Sequence, residues 1–402
     1  MTDRHVGVGQ TYSTVVAAWT VASSSTDVIK IHSGTYTGTD NLNFWLGNKT
    51  GITFTNAGEA SPTTLDGLLG QTSIFKMYNT VSDIVIQNID LKGFTSNGIY
   101  LSAGTNQVTA SDCNMSLDGN NSRGFFFEAT TLSPASGVRV TGCNLTGALG
   151  LTTTKGFYFK DVLDFHSLQN FTANIRNHYE IEGTCNLIIE RSEISGSGPA
   201  DGDTGILNET DDAASIIVIK SNLIHDIQDG YNSNNATVDG TGIILFNTFY
   251  NLNYGIKAIK YAQAIDHNIF AACATYGIDG DNGGNQGRPD GNCFFANGTD
   301  IHWYNADLSP VASSPTFTNP NLGNYVLLAG SPCIDATTGS LSASLVTTDY
   351  NGNYRPLPQG STLYTLGAYE YSSSAGNNMK YLLYNGSIVR LISSGDITKI
   401  TF

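Results

Sequence analysis

The sequence predicts an all-β chain wound as a parallel solenoid, on two repeated markers and one feature of composition. Short apolar segments recur with a period of about 25 residues, which lies in the range typical of solenoid repeats. A second marker, a glycine followed by an apolar or aromatic residue, keeps the same irregular period. The 44 glycines among 402 residues, with plentiful Ser, Thr and Asn, suit many short strands joined by tight turns.

The first marker is a large apolar residue, here called the anchor, that follows a small or polar residue by two positions. The phrase "VTASDCNMS" returns as "VRVTGCNLT", and its anchor moves from Met115 to Leu145. The intervals between anchors are irregular, which indicates strands of similar length joined by turns of unequal length. The anchors are Leu91, Met115, Leu145, Phe171, Ile194, Leu223, Phe249, Phe270 and Phe294.

The second marker places a glycine before an apolar or aromatic residue once per period, as in "NGIYL" and "RGFFF". One position departs from this pattern, because "HYEIE" follows His178 where a glycine is expected. We expect the marker positions to stack on one another in successive coils. The glycines are Gly98, Gly124, Gly156, Gly205, Gly230, Gly255 and Gly277.

The local pattern indicates a parallel β-helix. The repeated segments are short, rich in Ile, Val and Phe, and bounded by Gly, Asn, Asp and Ser, so we interpret them as strands. No helical pattern separates them, which excludes ankyrin and tetratricopeptide repeats. A coil of about 25 residues then holds three short strands and three turns, and each strand pairs with its equivalents in the coils above and below.

Stacking of equivalent residues explains why the cysteine–asparagine phrase occurs twice. Cys113 and Cys143 should be vertical neighbours, and Asn114 and Asn144 should form a hydrogen-bonded pair along the solenoid. The similar phrase at Cys185 is out of step with its anchor, so we interpret it as coincidence. The six cysteines include no CxxC pair, and we expect them to be small buried residues rather than disulfides or metal ligands.

On these repeats the chain resembles the right-handed parallel β-helix superfamily typified by pectate lyases and phage tailspikes, over roughly residues 25–371. The stretch "YSTVVAAWTVASSSTDVIKIHSGTYTG" is similar to the first coil of that superfamily and its capping helix. Ser13 or Thr14 would cap this helix. The apolar face of the helix would consist of Val15, Val16, Ala18 and Trp19. The stretch from "SPCIDA" to "LGAYEY" is similar to the closing segment of many bacterial and viral β-helix proteins.

We predict three parts along the chain. They are an N-terminal cap over residues 1–33, a parallel β-helix with its closing segment over residues 34–371, and a tail over residues 372–402. The tail begins with "SSSAGNN", which has the composition of a flexible linker. The stretch "YLLYNGSIVRL" then predicts a hairpin, because Asn385-Gly386 suits a type I′ turn. A lone hairpin is marginal in water, so it should dock on the solenoid or on neighbouring copies.

The charge balance narrows the classes of partner. A formal net charge of −15 argues against nucleic acid, an anionic membrane surface and strongly acidic glycans, and leaves a neutral glycan, a cation or a protein. No apolar run reaches the roughly 18 residues of a membrane span, so we expect no membrane insertion. The start "MTDRHVGVGQ" has no charged-then-apolar signal region, which indicates a removed signal or export without one.

An acidic stretch supplies the candidate catalytic residues. They are Asp201, Asp203, Glu209, Asp226 and Asp229. Asp201 and Asp226 each stand four residues before a marker glycine, so on adjacent coils they would lie about 5 Å apart. Carboxylates at that separation suit glycoside hydrolysis, whereas the alternative is that Asp favours solvated turns. His225 could act as a base beside Asp226, but adjacent residues on a strand point to opposite faces and seldom touch.

Other chemistry has weaker support in the sequence. A lyase acting on uronates needs clustered basic residues, and no shared offset relates Lys155, Lys160, Arg176 and Arg191. The runs "FFFE" and "GFYF" are interpreted as inward aromatic ladders, with stacking on sugars as the alternative. The loop "GIDGDNGGNQGRPDGN" resembles a calcium loop but lacks the closing bidentate Glu. Because histidines at metal spacing are also absent, we expect no cofactor and no metal, with Ca²⁺ as the alternative.

These features favour a non-enzymatic structural or adhesive protein of a virion surface, of the phage spike, fibre or capsid-decoration type, with host surface glycan as a candidate ligand. The resemblance to virion spikes implies a homotrimer that contacts other virion proteins. One alternative is a tailspike-like glycosidase that degrades surface polysaccharide. The other is a secreted β-helix protein of a bacterial surface.

Overall fold

The computed structural model is an all-β parallel solenoid of about 11 turns, which confirms the predicted fold class. No helix among the described residues has the length and apolar character needed to cross a membrane. The structure describes residues 2–23, 26–42, 44–47, 49–78, 81–130, 135–210, 212, 214–233, 241–259, 262–280, 287–338, 345–356, 361–371, 380–384 and 387–391.

The first face of the solenoid is an 11-stranded parallel sheet, to which each coil contributes one strand. Neighbouring strands come from successive coils, so the sheet follows chain order and the rest of each coil forms the crossover between them. Its strands are Asp3–Val6, Val28–Ile31, Thr53–Asn56, Ser82–Gln87, Asn106–Ser111, Val138–Thr141, Phe165–Leu168, Asn186–Glu190, Ile216–Lys220, Thr241–Leu245 and Ala262–Asp266.

Two further parallel ladders, here called the second and third sheets, form the other faces, and two long strands, Thr63–Tyr78 and Asp90–Ser102, run through both. The remaining strands of the second sheet are Gly34–Tyr36, Asn114–Leu117, Asn144–Gly147, Phe171–Ala173, Glu193–Ser195, Leu223–His225, Thr248–Tyr250, Ile269–Ala271 and Cys293–Phe295. Those of the third sheet are Phe44–Gly47, Arg123–Glu128, Lys155–Lys160, Asn177–Glu182, Thr204–Glu209, Asp229–Asn232, Tyr254–Ile259, Tyr276–Gly280 and Thr299–His302.

The core lies inside the coils, where the anchors stack as predicted, with two corrections. Phe171 and Leu223 are not anchors, because the column is occupied by Thr172 and Ile224, the next residue in each case. Leu223 and Ile224 are both apolar, whereas the polar Thr172 fills the column beside a half-buried Phe171; a shift of one residue turns a side chain to the other face. The observed column is Leu91, Met115, Leu145, Thr172, Ile194, Ile224, Phe249, Phe270 and Phe294.

The marker glycines also stack, at the start of the third-sheet strands. A Cβ atom at Gly124 would lie 2.8 Å from the carbonyl oxygen of Gly156 and 2.5 Å from Cδ2 of Leu145. Both separations are shorter than atoms tolerate, so glycine is required by the close approach of successive coils at this corner. Glycine therefore recurs in the sequence because the backbone and the anchor of the next coil pack closely against this position.

The predicted vertical pairs at the second-sheet corner are confirmed. Asn144 Nδ2 donates to Asn114 Oδ1 at 2.8 Å, and the preceding Cys113 and Cys143 are both fully buried. Cys185 precedes a strand of the first sheet, so its similar phrase is a coincidence, as expected. All six cysteines are buried free thiols.

Further along the chain the same corner carries an internal asparagine ladder that the sequence analysis missed. Each Nδ2 group donates to the Oδ1 atom of the next residue in the ladder, over 3.0–3.1 Å, and the last donates to Asp307 Oδ2 at 2.7 Å. The ladder satisfies buried backbone groups as well, since Asn247 Nδ2 also donates to the carbonyl of Ile219. Its members are Asn222, Asn247, Asn268 and Asn292.

The capping helix is confirmed as a short helix, Val15–Val21. The hydroxyl of Thr14 accepts a hydrogen bond from the backbone N–H of Ala17 at 3.2 Å, which is the expected N-cap interaction. The buried face includes Trp19, whose ring stacks on Phe54 with 5.8 Å between ring centres. The helix thereby covers the apolar interior at the first coils.

The closing segment folds back over the outside of the second sheet. Phe317–Asn319 pairs with Asn324–Leu327 across the 3₁₀ helix Pro320–Leu322, and Thr337–Thr338 pairs with Leu363–Tyr364. A second apolar cluster joins this segment to the solenoid. It contains Ile269, Ala271, Cys293, Leu327, Cys333 and Leu366. The segment therefore acts as an outer layer on the last coils.

The strands Lys380–Tyr384 and Ser387–Leu391 form an antiparallel pair, which confirms the hairpin at the C-terminus. The predicted type I′ turn at residues 385–386 and the predicted linker at residues 372–378 lie outside the described residues. The predicted docking of the hairpin lies outside them as well.

Candidate functional site

The outer surface of the third sheet carries a row of aromatic rings on its early coils. Along each strand the residues alternate between core and surface, so "FFFE" and "GFYF" contribute to both. The inward ladder is confirmed, because the Phe125 and Phe157 rings stack at 5.0 Å. The outward row was not expected, and its ring centres are 4.9–5.2 Å apart. It consists of Tyr78, Tyr100, Phe126 and Tyr158.

Two cationic side chains lie over this row. Arg123 and Lys155 are register partners on adjacent third-sheet strands. The guanidinium carbon of Arg123 lies 4.4 Å from the centre of the Phe126 ring, and Lys155 Nζ lies 4.6 Å from the centre of the Tyr158 ring. Each contact is within cation–π distance, so the rings position both cations on the surface.

A third cation, Arg176, completes a basic wall. Its side chain packs on Gly202, where a Cβ atom would lie 1.9 Å from Nη1, and Gly202 also has a positive φ of 87°. No described residue accepts a hydrogen bond from this guanidinium. Arg123, Lys155 and Arg176 line one pocket of about 410 Å³. Lys155 and Arg176 therefore lie together although no shared offset relates them in the sequence, whereas Arg191 packs against Gly352 of the closing segment.

The pocket continues across the middle of the third sheet, and we call the whole surface the third-sheet groove. The residues that line the basic pocket are Asn121, Arg123, Thr152, Thr153, Lys155, Arg176, Asn177, Glu180, Leu207 and Glu209. A second pocket, of about 640 Å³, adjoins it at Glu209. Its lining consists of Lys160, Asp161, Glu182, Gly183, Thr184, Glu209 and Asp212.

Acidic side chains line the same groove as the cations, and one of them pairs directly with Lys155. Glu180 is 4% exposed, pairs with Lys155 Nζ, and accepts a hydrogen bond from Asn177 Nδ2 at 2.6 Å. Glu182 accepts a hydrogen bond from the Tyr158 hydroxyl at 2.6 Å. Burial and this carboxylate raise the pKa of Tyr158 well above its ordinary value, so the phenol remains a donor at any physiological pH.

One trio of carboxylates in the groove could hold a cation. The trio is Glu180, Glu182 and Glu209, each of which offers one oxygen within 4.8 Å of the others. Carboxylate oxygens are ligands for hard cations, so the donor set fits Ca²⁺. The same oxygens already bind Lys155, Asn177 and Tyr158, which limits the ligands left for an ion.

Asp201 and Asp203 lie at the edge of this groove, in the corner that precedes the strand Thr204–Glu209. Asp201 Oδ2 accepts from the backbone N–H of Ser197 at 2.8 Å, and its Oδ1 accepts from the N–H of Asp203 at 3.1 Å, so it organises the corner. Asp203 is only 9% exposed. Burial and the Asp201 charge raise the pKa of Asp203 to about 7, against the opposing effect of Arg176.

The predicted pairing of Asp201 with Asp226 is wrong. Asp226 has a positive φ of 55°, which turns its side chain back toward the second sheet. There Asp226 Oδ2 lies 2.7 Å from His225 Nδ1, although adjacent strand residues were not expected to touch. The number of residues in the corner before the third-sheet strand differs between coils. Two residues at the same distance from their marker glycines therefore need not occupy the same place in the coil.

His225 and Asp226 join the closing segment to the solenoid. Burial alone would lower the pKa of His225, but the hydrogen bonds to Asp226 and Glu193 raise it above its ordinary value. The Tyr325 ring of the closing segment lies 5.0 Å from the His225 ring, and the Tyr350 hydroxyl donates to Glu193 at 3.0 Å. This cluster therefore serves packing of the closing segment rather than the groove.

Asp229 is 2% exposed and lies on the third sheet one coil beyond Thr204. Its Oδ2 pairs with Lys257 Nζ and accepts from Asn232 Nδ2, each at 2.9 Å. Burial raises the pKa of Asp229 despite these partners. Of the five predicted carboxylates, Glu209 lines the groove, Asp201, Asp203 and Asp229 lie beside it, and Asp226 instead binds His225.

Sequence reasoning missed the main residues of the groove, namely Arg123, Glu180 and Glu182. A signal was available, because Arg123 and Lys155 each immediately precede a marker glycine. Residues at the same distance along the chain from stacked glycines must stack as well. The spacing that identified the glycines could therefore have identified Arg123 and Lys155 as neighbours. Arg176 gave no such signal, since it lies in a corner of irregular length.

The architecture is a parallel β-helix, a fold that solved structures of low sequence identity share. Pectate lyase Pel9A matches with 14% identity and a TM-score of 0.54 over 92% of this chain and 97% of its own. A rhamnogalacturonan lyase matches with 14% identity and a TM-score of 0.50 over 67% and 82%. The receptor-binding domain of the siphovirus 9NA tailspike matches with 10% identity and a TM-score of 0.42 over 81% and 82%. No family model and no curated protein matches the chain.

Proposed function

We propose that this β-helix protein binds a polysaccharide chain in the third-sheet groove and that the ligand carries negative charges. The observation that carries the proposal is the convergence of Arg123, Lys155 and Arg176 in one pocket beside an outward aromatic row. Guanidinium groups match carboxylate or sulfate oxygens with two parallel hydrogen bonds. Aromatic side chains supply apolar surface for the faces of sugar rings.

The shape of the groove suits a linear ligand. The surface from Tyr100 to Glu209 crosses four coil steps, which corresponds to about 19 Å at the strand spacing of a sheet. A chain of several sugar rings therefore fits along the solenoid axis. The net charge of −15 repels such a ligand elsewhere on the protein, so the local basic wall determines where it binds.

Retention of the protein in gels that contain a polysaccharide tests this function. We expect retention by polygalacturonate or alginate and none by the neutral glucan dextran. We also expect the retention to weaken as salt rises, because exposed charges are screened within about 8 Å at physiological ionic strength. Equal retention by dextran, or retention that salt leaves unchanged, contradicts the proposal of an anionic ligand.

A second candidate function, cleavage of the bound glycan, is favoured by Asp203. Its carboxylate accepts no hydrogen bond from a described residue, and a carboxylic acid with a pKa of about 7 can donate a proton near neutral pH. Such an acid would protonate the leaving oxygen of a glycosidic bond. Release of reducing ends that Asp203→Asn abolishes and the exposed control Asp164→Asn retains would establish cleavage.

Assembly and location form a further part of the proposal. We retain a homotrimer on a virion surface, in contact with other virion proteins, on the resemblance of the chain to virion β-helix proteins. A secreted protein of a bacterial surface is the alternative. Light scattering on the full chain tests the assembly, since a single-chain mass at high concentration contradicts the trimer.

A further inference from the structure

Two histidines from successive coils meet at the first turns of the solenoid. His5 lies on the strand Asp3–Val6, and His32 directly follows the neighbouring strand Val28–Ile31. His5 Nδ1 is 2.9 Å from His32 Nε2, so one proton is shared between two ring nitrogens. We propose that this pair is a binding site for a divalent transition metal of the zinc type.

Glu59 holds the His32 ring in place. One of its oxygens lies 2.5 Å from His32 Nδ1, and the other accepts from the backbone N–H of Ser33 at 2.7 Å. Glu59 thus binds the far side of the His32 ring and leaves Nε2 facing His5, in the carboxylate–histidine arrangement that orients metal ligands.

The separation of the two nitrogens is close to the separation that a shared metal needs. With Zn–N bonds of about 2.05 Å and tetrahedral angles, two ligating nitrogens lie about 3.3 Å apart. The two nitrogens face each other head-on, with 5.2 Å between ring centres, so the rings must separate by about 0.4 Å and also tilt for both nitrogens to point at one metal. The metal takes the place of the proton on His5 Nδ1, which is released to solvent, and water completes the coordination.

The donor set selects the class of metal. Imidazole nitrogens suit Zn²⁺, Cu²⁺ and Ni²⁺, whereas Ca²⁺ and Mg²⁺ prefer oxygen ligands. Lys30 lies opposite His5 in the strand register, but its ammonium pairs with Asp3 at 2.6 Å, which reduces its repulsion of the metal. The two histidines are one coil apart in the sequence, so the site has no short sequence motif.

A bound metal would fasten the outermost strand of the first sheet. Asp3–Val6 has Val28–Ile31 as its single strand neighbour in that sheet, so it is an edge strand. A ligand that binds the folded state alone stabilises it by RT ln(1 + L/Kd), where L is the free ligand concentration, so the unfolding temperature rises with that concentration. Zinc should therefore stabilise the first coils without any change in the third-sheet groove.

Calorimetric titration of the full chain with ZnCl₂ tests the site. We expect one zinc per chain for the wild type, loss of that binding in His5→Gln and in His32→Gln, and about 10- to 100-fold weaker binding in Glu59→Gln. His166→Gln is the matched control, because His166 also pairs with a carboxylate, Glu190, at 2.9 Å. It should bind zinc as the wild type does, and CaCl₂ should give no binding at the histidine pair.

A thermal melt with and without zinc separates lost binding from lost folding. Each variant should melt as the wild type does without metal, and only the wild type and His166→Gln should gain stability with zinc. Absence of zinc binding by the wild type, or unchanged binding by His5→Gln and His32→Gln, would overturn the proposal. Neither result would affect the polysaccharide proposal, which rests on other residues.

Discussion

In the interior of the solenoid, His178 Nδ1 lies 2.8 Å from Thr172 Oγ1, and both residues are fully buried. His178 occupies the column that the preceding coil fills with Gly156, and Thr172 occupies the anchor column below Leu145. The small side chain at the anchor position leaves room that the imidazole fills. The two departures from the repeat pattern therefore compensate for each other.

This relationship predicts the result of restoring the pattern at one position or at both. Thr172→Leu should lower the free energy of unfolding by about 2 kcal/mol, because a larger anchor collides with the imidazole and removes its hydrogen-bond partner. The double variant Thr172→Leu/His178→Gly should recover most of this loss. Urea unfolding measures both, and a double variant less stable than Thr172→Leu would contradict the compensation.

The same histidine predicts a dependence of stability on pH. Burial lowers the pKa of His178 from 6.5 to about 3, so the unfolded chain binds more protons between these values and acid favours unfolding. The contribution is complete above pH 6.5 and is lost toward pH 3, at about 1.4 kcal/mol per pH unit. Unfolding measured from pH 4 to 7 should show a shallower decline in Thr172→Leu/His178→Gly. Identical slopes would show that His178 does not titrate this way.

The internal asparagine ladder should contribute more to the free energy of unfolding than the exposed pair of Asn114 and Asn144. Asn247→Ala removes the acceptor of the buried Asn222 backbone N–H and the donor to the Ile219 carbonyl. Each of these hydrogen bonds to the Asn247 side chain is 2.9 Å long. We expect a loss of about 3 kcal/mol, since each unpaired buried group costs about 1–3 kcal/mol. Asn144→Ala, on the exposed ladder, is the control and should cost less than about 1 kcal/mol. Equal losses on thermal unfolding would count against the ladder.

The closing segment contains a fully buried ion pair, Arg355 with Glu370 at 3.2 Å. Arg355→Met should destabilise the protein by about 3–5 kcal/mol, because it removes the buried cation that balances the Glu370 charge. Arg355→Met/Glu370→Gln should regain most of that loss by removing the charge. Unfolding in urea tests this order, and a double variant no better than the single one would show that the charge is not the cause.

The architecture could be predicted from sequence because stacking imposes the same residue types on successive coils. Met115 and Leu145 align as counted, and so do Gly124 and Gly156. The anchor prediction was wrong at Phe171 and Leu223 because each lies one residue before the position that faces the core. A strand of three residues offers few positions with which to decide which side faces the core.

The groove could be predicted only in part, for a related physical reason. Arg123 and Lys155 keep a constant offset from stacked glycines, so their proximity was available in the sequence. Arg176 and Asp203 lie in corners whose lengths differ between coils, so only coordinates reveal that they approach the same pocket. The net charge of −15 does not report the three cations of one pocket, which also contains Glu180 and Glu209.

The central claim is that Arg123 and Arg176 bind a negatively charged polysaccharide, and the affinity of paired variants for polygalacturonate tests it most directly. Arg123→Ala/Arg176→Ala should bind about 10- to 100-fold more weakly than the wild type, given the strength of charge-assisted hydrogen bonds. Arg139→Ala/Arg288→Ala loses the same charge from surfaces outside the groove and should bind as the wild type does. Equal loss in both double variants, or no loss in the first, would contradict the account.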